Sequence, residues 1–242
     1  MKKLLIVTAV YGRPELTKVV LEYYNKLKQD SGLSISLLAV GSEGLVSKKL
    51  CEESGWDYVE YPNSPLSQKW NHLIEASSKY QYDMLVIVGS DDLVSKQILE
   101  YYSYNYNENA NYYLGFDQLY FRWLDKEETY FLENYLTKSF IKTMGAGRCF
   151  SRYIMTKCGY RPWNIFKIDK GLDSLCTRNL KVLGIKEKVV TFKDTGGIIV
   201  DIKSEGCNIT SYDKLKPSLT KVESDILDKH FPEEMQKLRI IS

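Results

Sequence analysis

The chain has 242 residues, of which 44% are hydrophobic and 26% charged, with a formal net charge of +2. This is apolar material enough for one substantial α/β domain or two small ones, and it excludes a chain disordered throughout. The balanced charge gives no sign of the basic surface that marks a nucleic-acid binder, and no run approaches the roughly 18 apolar residues of a membrane span.

Leu4 to Ala9 is a continuous apolar run, read as a first strand buried on both faces. It is too short for a signal sequence and leads into Tyr11-Gly12-Arg13-Pro14 rather than a small-residue cleavage site. Glu15 to Lys28 carries apolar residues at helical spacing, with Pro14 suited to the first turn. Ile35 to Val40 is a second strand, Val46 to Glu53 a short helix, and Asp57 to Tyr61 a third strand. A helix is predicted from Ser67 to Tyr80, then a strand from Met84 to Val88 that stops at Gly89-Ser90-Asp91-Asp92, then a helix from Ser95. This alternation argues a mainly parallel sheet flanked by helices, in which ligands bind beyond the strand C-termini. Thr8 to Arg13 and Gly89 to Asp92 both lie at such ends.

Further along, Tyr112 to Arg122 reads as one or two strands and Tyr130 to Phe140 as an extended segment. Gly145 to Arg148 is a turn before a helix from Ser151 to Cys158, and Leu172 to Leu183 is a helix ended by Gly184. Val189 to Phe192 and Ile198 to Ile202 are short strands, and Asp225 to Leu238 is a last helix. The five cysteines are odd in number and form no CxxC pair, which predicts free thiols in a reducing, cytoplasmic compartment. Of the 19 tyrosines, the cluster from Tyr101 to Tyr106 either covers a helix face or offers rings for stacking.

Two adjacent carboxylates after a strand repel each other unless a cation or hydrogen-bond donors lie nearby. Either Asp91 and Asp92 therefore hold a divalent metal, a hard cation that bridges diphosphates, or Ser90 or Asp91 simply caps the helix that begins near Ser95. His72, alone on an amphipathic helix, is placed outside any site.

In order, the TAVYGRPE strand–loop–helix, the helix QKWNHLIEAS and the strand DMLVIVGSDD resemble the first half of the inverting family-two glycosyltransferases. The resemblance implies a Rossmann-like GT-A fold. It also implies one domain over 1–242, with a nucleotide-sugar half (1–100), an acceptor half (101–205) and a C-terminal elaboration (206–242). Carried over residue by residue, it gives Thr8, Ala9, Tyr11 and Arg13 to the nucleotide, with Tyr11 stacked on the base, and adds Glu43, Lys69 and Asn71. Ser90, Asp91 and Asp92 fall at the donor, with Asp91 the acid that meets Mn2+ or Mg2+. The family's motif begins with a further carboxylate, where this chain has Gly89.

The segment KGLDSLCTR resembles the part of the family that supplies the base, with Asp173 in the role of deprotonating the acceptor hydroxyl and Asp169 in reserve. Leu172 stands where a glutamate is usual. Gly147 and Arg148 fall in the family's glycine-rich acceptor loop, and Trp163 is positioned to stack on an acceptor sugar or to pack in the core. The resemblance thus implies transfer of a sugar from a nucleotide-sugar donor to an acceptor hydroxyl, on a glycan or, less in keeping with the charge, a modified nucleic-acid base. Two rival readings remain: a nucleotidyltransferase, and a nucleotide- or sugar-binding protein without activity.

Overall fold

The computed structural model describes residues 1–135, 141–204 and 218–241. In chain order the first half comprises β1 (Leu4–Ala9), α1 (Pro14–Asp30), β2 (Ile35–Gly41), α2 (Leu45–Glu53), β3 (Asp57–Glu60), α3 (Leu66–Ser77), β4 (Met84–Gly89), β5 (Asp92–Val94) and α4 (Lys96–Asn105). It continues with β6 (Tyr112–Phe116), β7 (Leu119–Trp123), β8 (Glu128–Leu132), β9 (Cys149–Ser151), α5 (Arg152–Lys157), α6 (Leu172–Val182) and β10 (Lys186–Val190). The last elements are α7 (Phe192–Thr195), β11 (Ile199–Lys203), β12 (Thr220–Val222), α8 (Asp225–His230) and α9 (Pro232–Ile240).

A seven-stranded sheet in the order β10-β6-β9-β4-β1-β2-β3 forms the centre. All its pairings are parallel except those of β9, which runs antiparallel to both β4 and β6. Side chains alternate across a strand, so Leu4 and Ile6 of β1 enter one core with α1, while Leu5 and Val7 enter a second with α3. A strand buried on both faces has no polar side to show, which is why β1, β2 and β4 are mostly apolar. The result is a mixed α/β architecture with a mostly parallel sheet between helices, a Rossmann-like fold.

A second sheet, in the order β12-β8-β7-β11-β5, packs into the α1 side of the core. Its strand β5 follows the acidic loop directly, and the buried Tyr23 and Tyr24 of α1 pin it in place. The Tyr23 hydroxyl donates to the Val94 carbonyl (2.8 Å), and the Tyr24 hydroxyl donates to the Asp92 carbonyl (3.0 Å) while accepting from the Val94 N–H (3.0 Å).

Several predicted boundaries differ from the observed ones for local reasons. Cys149–Ser151 is a strand, not the start of a helix, and β5 and β12 are further three-residue strands too short to show periodicity. The predicted strand Val189–Phe192 is β10 shifted back to Lys186, with Phe192 opening a short helix capped by Thr191 and Asp194. The single helix predicted over Asp225–Leu238 is two, broken at Phe231–Pro232 because proline cannot donate the bond that would continue the first. Residues 136–140 of the predicted extended segment, and Cys207, lie outside the described residues.

Cys51, Cys149, Cys158 and Cys176 are free thiols. The tyrosine cluster lies on and just after α4, where Tyr102 and Tyr106 are buried and Tyr104 is exposed. Among the described residues, no helix is long and apolar enough to cross a membrane.

Candidate active site

A cleft of about 1290 Å³ opens at the C-terminal ends of β1 and β4, lined by residues from both sheets. Three carboxylates meet in it: Asp91 from the turn after β4, Asp92 from the start of β5, and Asp201 from β11. One oxygen from each lies within 4.8 Å of the others. The topology brings them together. Strand β11 pairs antiparallel with β5, so Asp201 faces Asp92, and the Ile202 N–H donates to the Asp91 carbonyl at 2.8 Å. Helix α4 has Ser95 at its N-cap, so neither Ser90 nor Asp91 caps it.

Two cations border the triad. The Arg13 guanidinium donates to Asp91 Oδ2 at 3.0 Å, and Lys203 Nζ lies 2.6 Å from Asp201 Oδ2 and 3.7 Å from Asp91 Oδ2. Arg13 is held in the left-handed region (φ 46°) at the N-cap of α1, a conformation that L residues seldom adopt outside functional turns. Three carboxylates thus face two cations, so full ionisation of the acids would leave a net negative charge. Asp201 Oδ1 is buried without a hydrogen-bond partner.

The pKa shifts express this crowding. Burial pushes the Asp92 carboxyl well above the usual range, and the charges of Asp201 and Asp91 add to it. Asp201 is raised to about 6, by burial first and Asp91 in addition, against the lowering effect of Lys203. Burial opposes the Lys203 charge, but Asp201 and Asp91 outweigh it and hold its pKa above the ordinary lysine value. The donor set (three hard oxygen ligands, an orphaned buried carboxylate oxygen and a negative surplus once the acids deprotonate) fits a divalent cation such as Mg2+ or Mn2+.

A pH dependence follows. The folded chain retains protons on Asp92 and Asp201 where the unfolded chain has released them, so metal-free stability is expected to fall as pH rises from the ordinary carboxylate range through about 6. Metal needs the deprotonated acids. Its effect on the melting temperature is therefore expected to be small near about pH 4.5 and large near about pH 7.5. Thermal melts with and without Mn2+ check this, and an equal metal shift at both pH values would contradict it.

Gly89, where the sequence motif lacks a carboxylate, has a steric role. Its N–H donates to Asp92 Oδ2 at 2.6 Å, and a Cβ there would lie 2.7 Å from Asp91 Oδ1 and 2.8 Å from Asp92 Oδ2. The Gly89→Ala variant is expected to fold but to bind Mn2+ about 10–100-fold more weakly, the usual cost of disturbing the support of metal ligands. Calorimetric titration measures it, and wild-type affinity would show that the two carboxylates have other room.

The structure places Ala9, Tyr11, Arg13, Lys69, Ser90, Asp91 and Asp92 on the cleft wall, together with Arg148, Trp163 and Asp173. Four other predicted positions do not line it. Thr8 is fully buried inside β1. Glu43 holds the Gly12 turn, accepting from the Gly12 N–H at 3.0 Å and from the Ser47 hydroxyl at 3.1 Å. Asn71 ties α3 to the loop after α5, donating to the Asn164 carbonyl and accepting from the Trp163 N–H. Gly147 donates to the Ile87 carbonyl at 2.9 Å in the turn before β9. His72 stacks on Tyr61, away from the cleft.

Asp173 stands in the first turn of α6, where its Oδ2 accepts from the Gly145 N–H at 3.0 Å. Its Oδ1 accepts no hydrogen bond from the described residues. The buried Arg148 supports this corner, donating to the carbonyls of Asp173 (3.2 Å) and Thr143 (2.6 Å) with its guanidinium over the Tyr113 ring. Asp169 uses both oxygens to fix the start of α3, accepting from the Leu66 N–H at 2.7 Å and the Ser64 hydroxyl at 3.1 Å. Trp163 donates its indole N–H to the Leu172 carbonyl, packs near Trp70 and is buried.

Asp201 and Lys203 escaped the sequence reading. Their signal is an acid and a base two apart in an otherwise apolar strand, which puts both on one face of β11.

No protein-family model matches the chain, and a search of curated proteins returns no match. Among solved structures, it is similar to the inositol-1-phosphate CTP transferase from T. maritima, at 11% identity over 88% of this chain and 95% of that chain, with a TM-score of 0.49.

Proposed function

We propose that this cleft is the active site of a metal-assisted, nucleotide-dependent transferase, and that the group it moves is a sugar, from a nucleotide diphosphate to an acceptor hydroxyl. The observation that carries the reading is the presence, in one cleft, of the Asp91–Asp92–Asp201 triad and of Asp173, whose second carboxylate oxygen accepts no hydrogen bond from the described residues. In this reading residues 1–100 form the donor half and 101–205 the acceptor half of one domain.

Asp91, Asp92 and Asp201 hold the divalent cation, which when bound supplies Lewis-acid neutralisation of a diphosphate. Arg13 and Lys203 already stand at the triad and serve the same charge as it develops on the leaving group. Tyr11, exposed at the mouth, offers a ring for the base. Asp173 Oδ1 takes the proton of the acceptor hydroxyl as its oxygen attacks the anomeric carbon, while the bond to the diphosphate oxygen breaks. The family resemblance adds inversion at that carbon. Gly89 does not argue for an inert relative, since Asp201 completes the carboxylate set from another strand.

Nucleotidyl transfer is the second reading, favoured by the two cations at the triad, which suit a triphosphate as well as a diphosphate. There the attacked atom is phosphorus and pyrophosphate leaves, with no required part for Asp173. Product analysis separates the two. Incubation with Mn2+ and a panel of nucleotide sugars is expected to release nucleoside diphosphate. Release of pyrophosphate from a nucleoside triphosphate and a sugar phosphate would establish the second reading instead, and neither product would mark a binding protein.

A further inference from the structure

The loops after β1, β2 and β3 converge on one buried side chain, Lys69. Its ammonium donates to the Val10 carbonyl at 2.7 Å, the Ser42 hydroxyl at 3.1 Å and Asn63 Oδ1 at 2.9 Å. A lysine ammonium has three N–H donors and no acceptor, so all its hydrogen bonds are spent within the protein. Burial lowers its pKa to about 8, with the Glu43 charge opposing that shift.

The consequence falls on Asn63. Lys69 can meet only an acceptor, so the Asn63 amide is compelled to turn its oxygen inward and its NH2 outward. That NH2 donates no hydrogen bond to any described residue, and Asn63 lines the cleft. Beside it on the cleft wall is Tyr11, 56% exposed, with Lys69 Nζ 5.8 Å from its ring centre. The neighbouring Ser64–Leu66 segment is held by Asp169, which keeps Asn63 from swinging away. This end of the cleft therefore combines an aromatic face, two free N–H donors and a positive charge behind them.

Resting on the proposal that the cleft takes a nucleotide, we infer that Asn63, oriented by Lys69, selects a keto nucleobase (uracil, thymine or guanine) over an amino base (cytosine or adenine). A base stacked on Tyr11 with a ring carbonyl toward Asn63 accepts from its NH2 in the field of the ammonium. An exocyclic amine in the same place sets donor against donor beside a cation, and leaves the Asn63 donors unpaired.

The test uses two pairs that differ at this edge. UDP and CDP, then GDP and ADP, are titrated calorimetrically into the full chain with Mn2+ present. The keto member of each pair is expected to bind about tenfold more tightly, the effect of one satisfied against one frustrated hydrogen bond. Asn63→Asp keeps an oxygen for Lys69 but replaces the donors by acceptors, and is expected to reverse the preference toward CDP and ADP. Equal or reversed affinities within the wild-type pairs would overturn the inference while leaving the nucleotide reading intact. So would an Asn63→Asp protein that still prefers UDP. Failure of all four to bind would overturn the nucleotide reading itself, and the inference with it.

Discussion

Replacing Asp173 by Asn is expected to lower sugar transfer about 10³-fold while leaving Mn2+ and nucleotide-sugar affinity at wild-type values, because a positioned general base contributes about 10²–10⁴-fold and takes no part in holding the donor. The substitution is nearly isosteric. The carbonyl oxygen of the new amide can still accept from the Gly145 N–H, which Asp173 engages at 3.0 Å, so the first turn of α6 keeps its place. What disappears is the proton acceptor at the second oxygen. The loss is expected in kcat rather than in the donor KM, and raising the pH should restore little, since an amide does not become a base. Steady-state kinetics with a saturating nucleotide sugar measure it. Wild-type turnover would remove Asp173 from the mechanism and turn attention to nucleotidyl transfer, in which this residue has no required role.

The second large effect is expected at Asp201. Asp201→Asn removes one of three charged oxygen ligands, and its effect on Mn2+ affinity should reach at least about 100-fold, the upper end of what even outer supporting residues cost. Folding should not suffer in parallel. Burial and the Asp91 charge raise the Asp201 pKa to about 6 even with Lys203 beside it, so ionising this side chain costs the folded chain stability that a neutral amide does not. Lys203 retains Asp91 at 3.7 Å. The metal-free variant is therefore expected to melt at or above the wild-type temperature at about pH 7.5 while losing the stabilisation that Mn2+ confers. A variant that binds Mn2+ normally would show that Asp201 serves only as the partner of Lys203.

Much of the fold can be read from the chain because β1, β2 and β4 are buried on both faces and α1 and α3 on one, and burial writes itself into apolar runs and helical spacing. The three-residue strands β5, β9 and β12 leave no such trace, since their place is set by pairing with strands far away in the chain. The site divides in the same way. The acids at Asp91 and Asp92 follow an apolar strand, and that position alone marks a ligand end of a parallel sheet. Asp201 lies more than a hundred residues on, and only the pairing of β11 with β5 brings it to them. Polar residues that tie loops together look, in sequence, like residues that face a ligand. Glu43 and Asn71 spend their hydrogen bonds on Gly12, Ser47, Trp163 and Asn164, and no spacing rule distinguishes that use from substrate contact.

On the proposed function, the acid triad binds a nucleotide's phosphates through a divalent cation. The most direct measurement of this is a calorimetric titration of a nucleoside diphosphate into the wild-type chain, once with Mn2+ and once with the metal chelated. Binding is predicted to be at least about tenfold tighter with metal, as expected if Asp91, Asp92 and Asp201 would hold a cation that offsets the diphosphate charge. Equal affinity with and without the metal would contradict it, and would leave Arg13 and Lys203 as the groups that meet the phosphates.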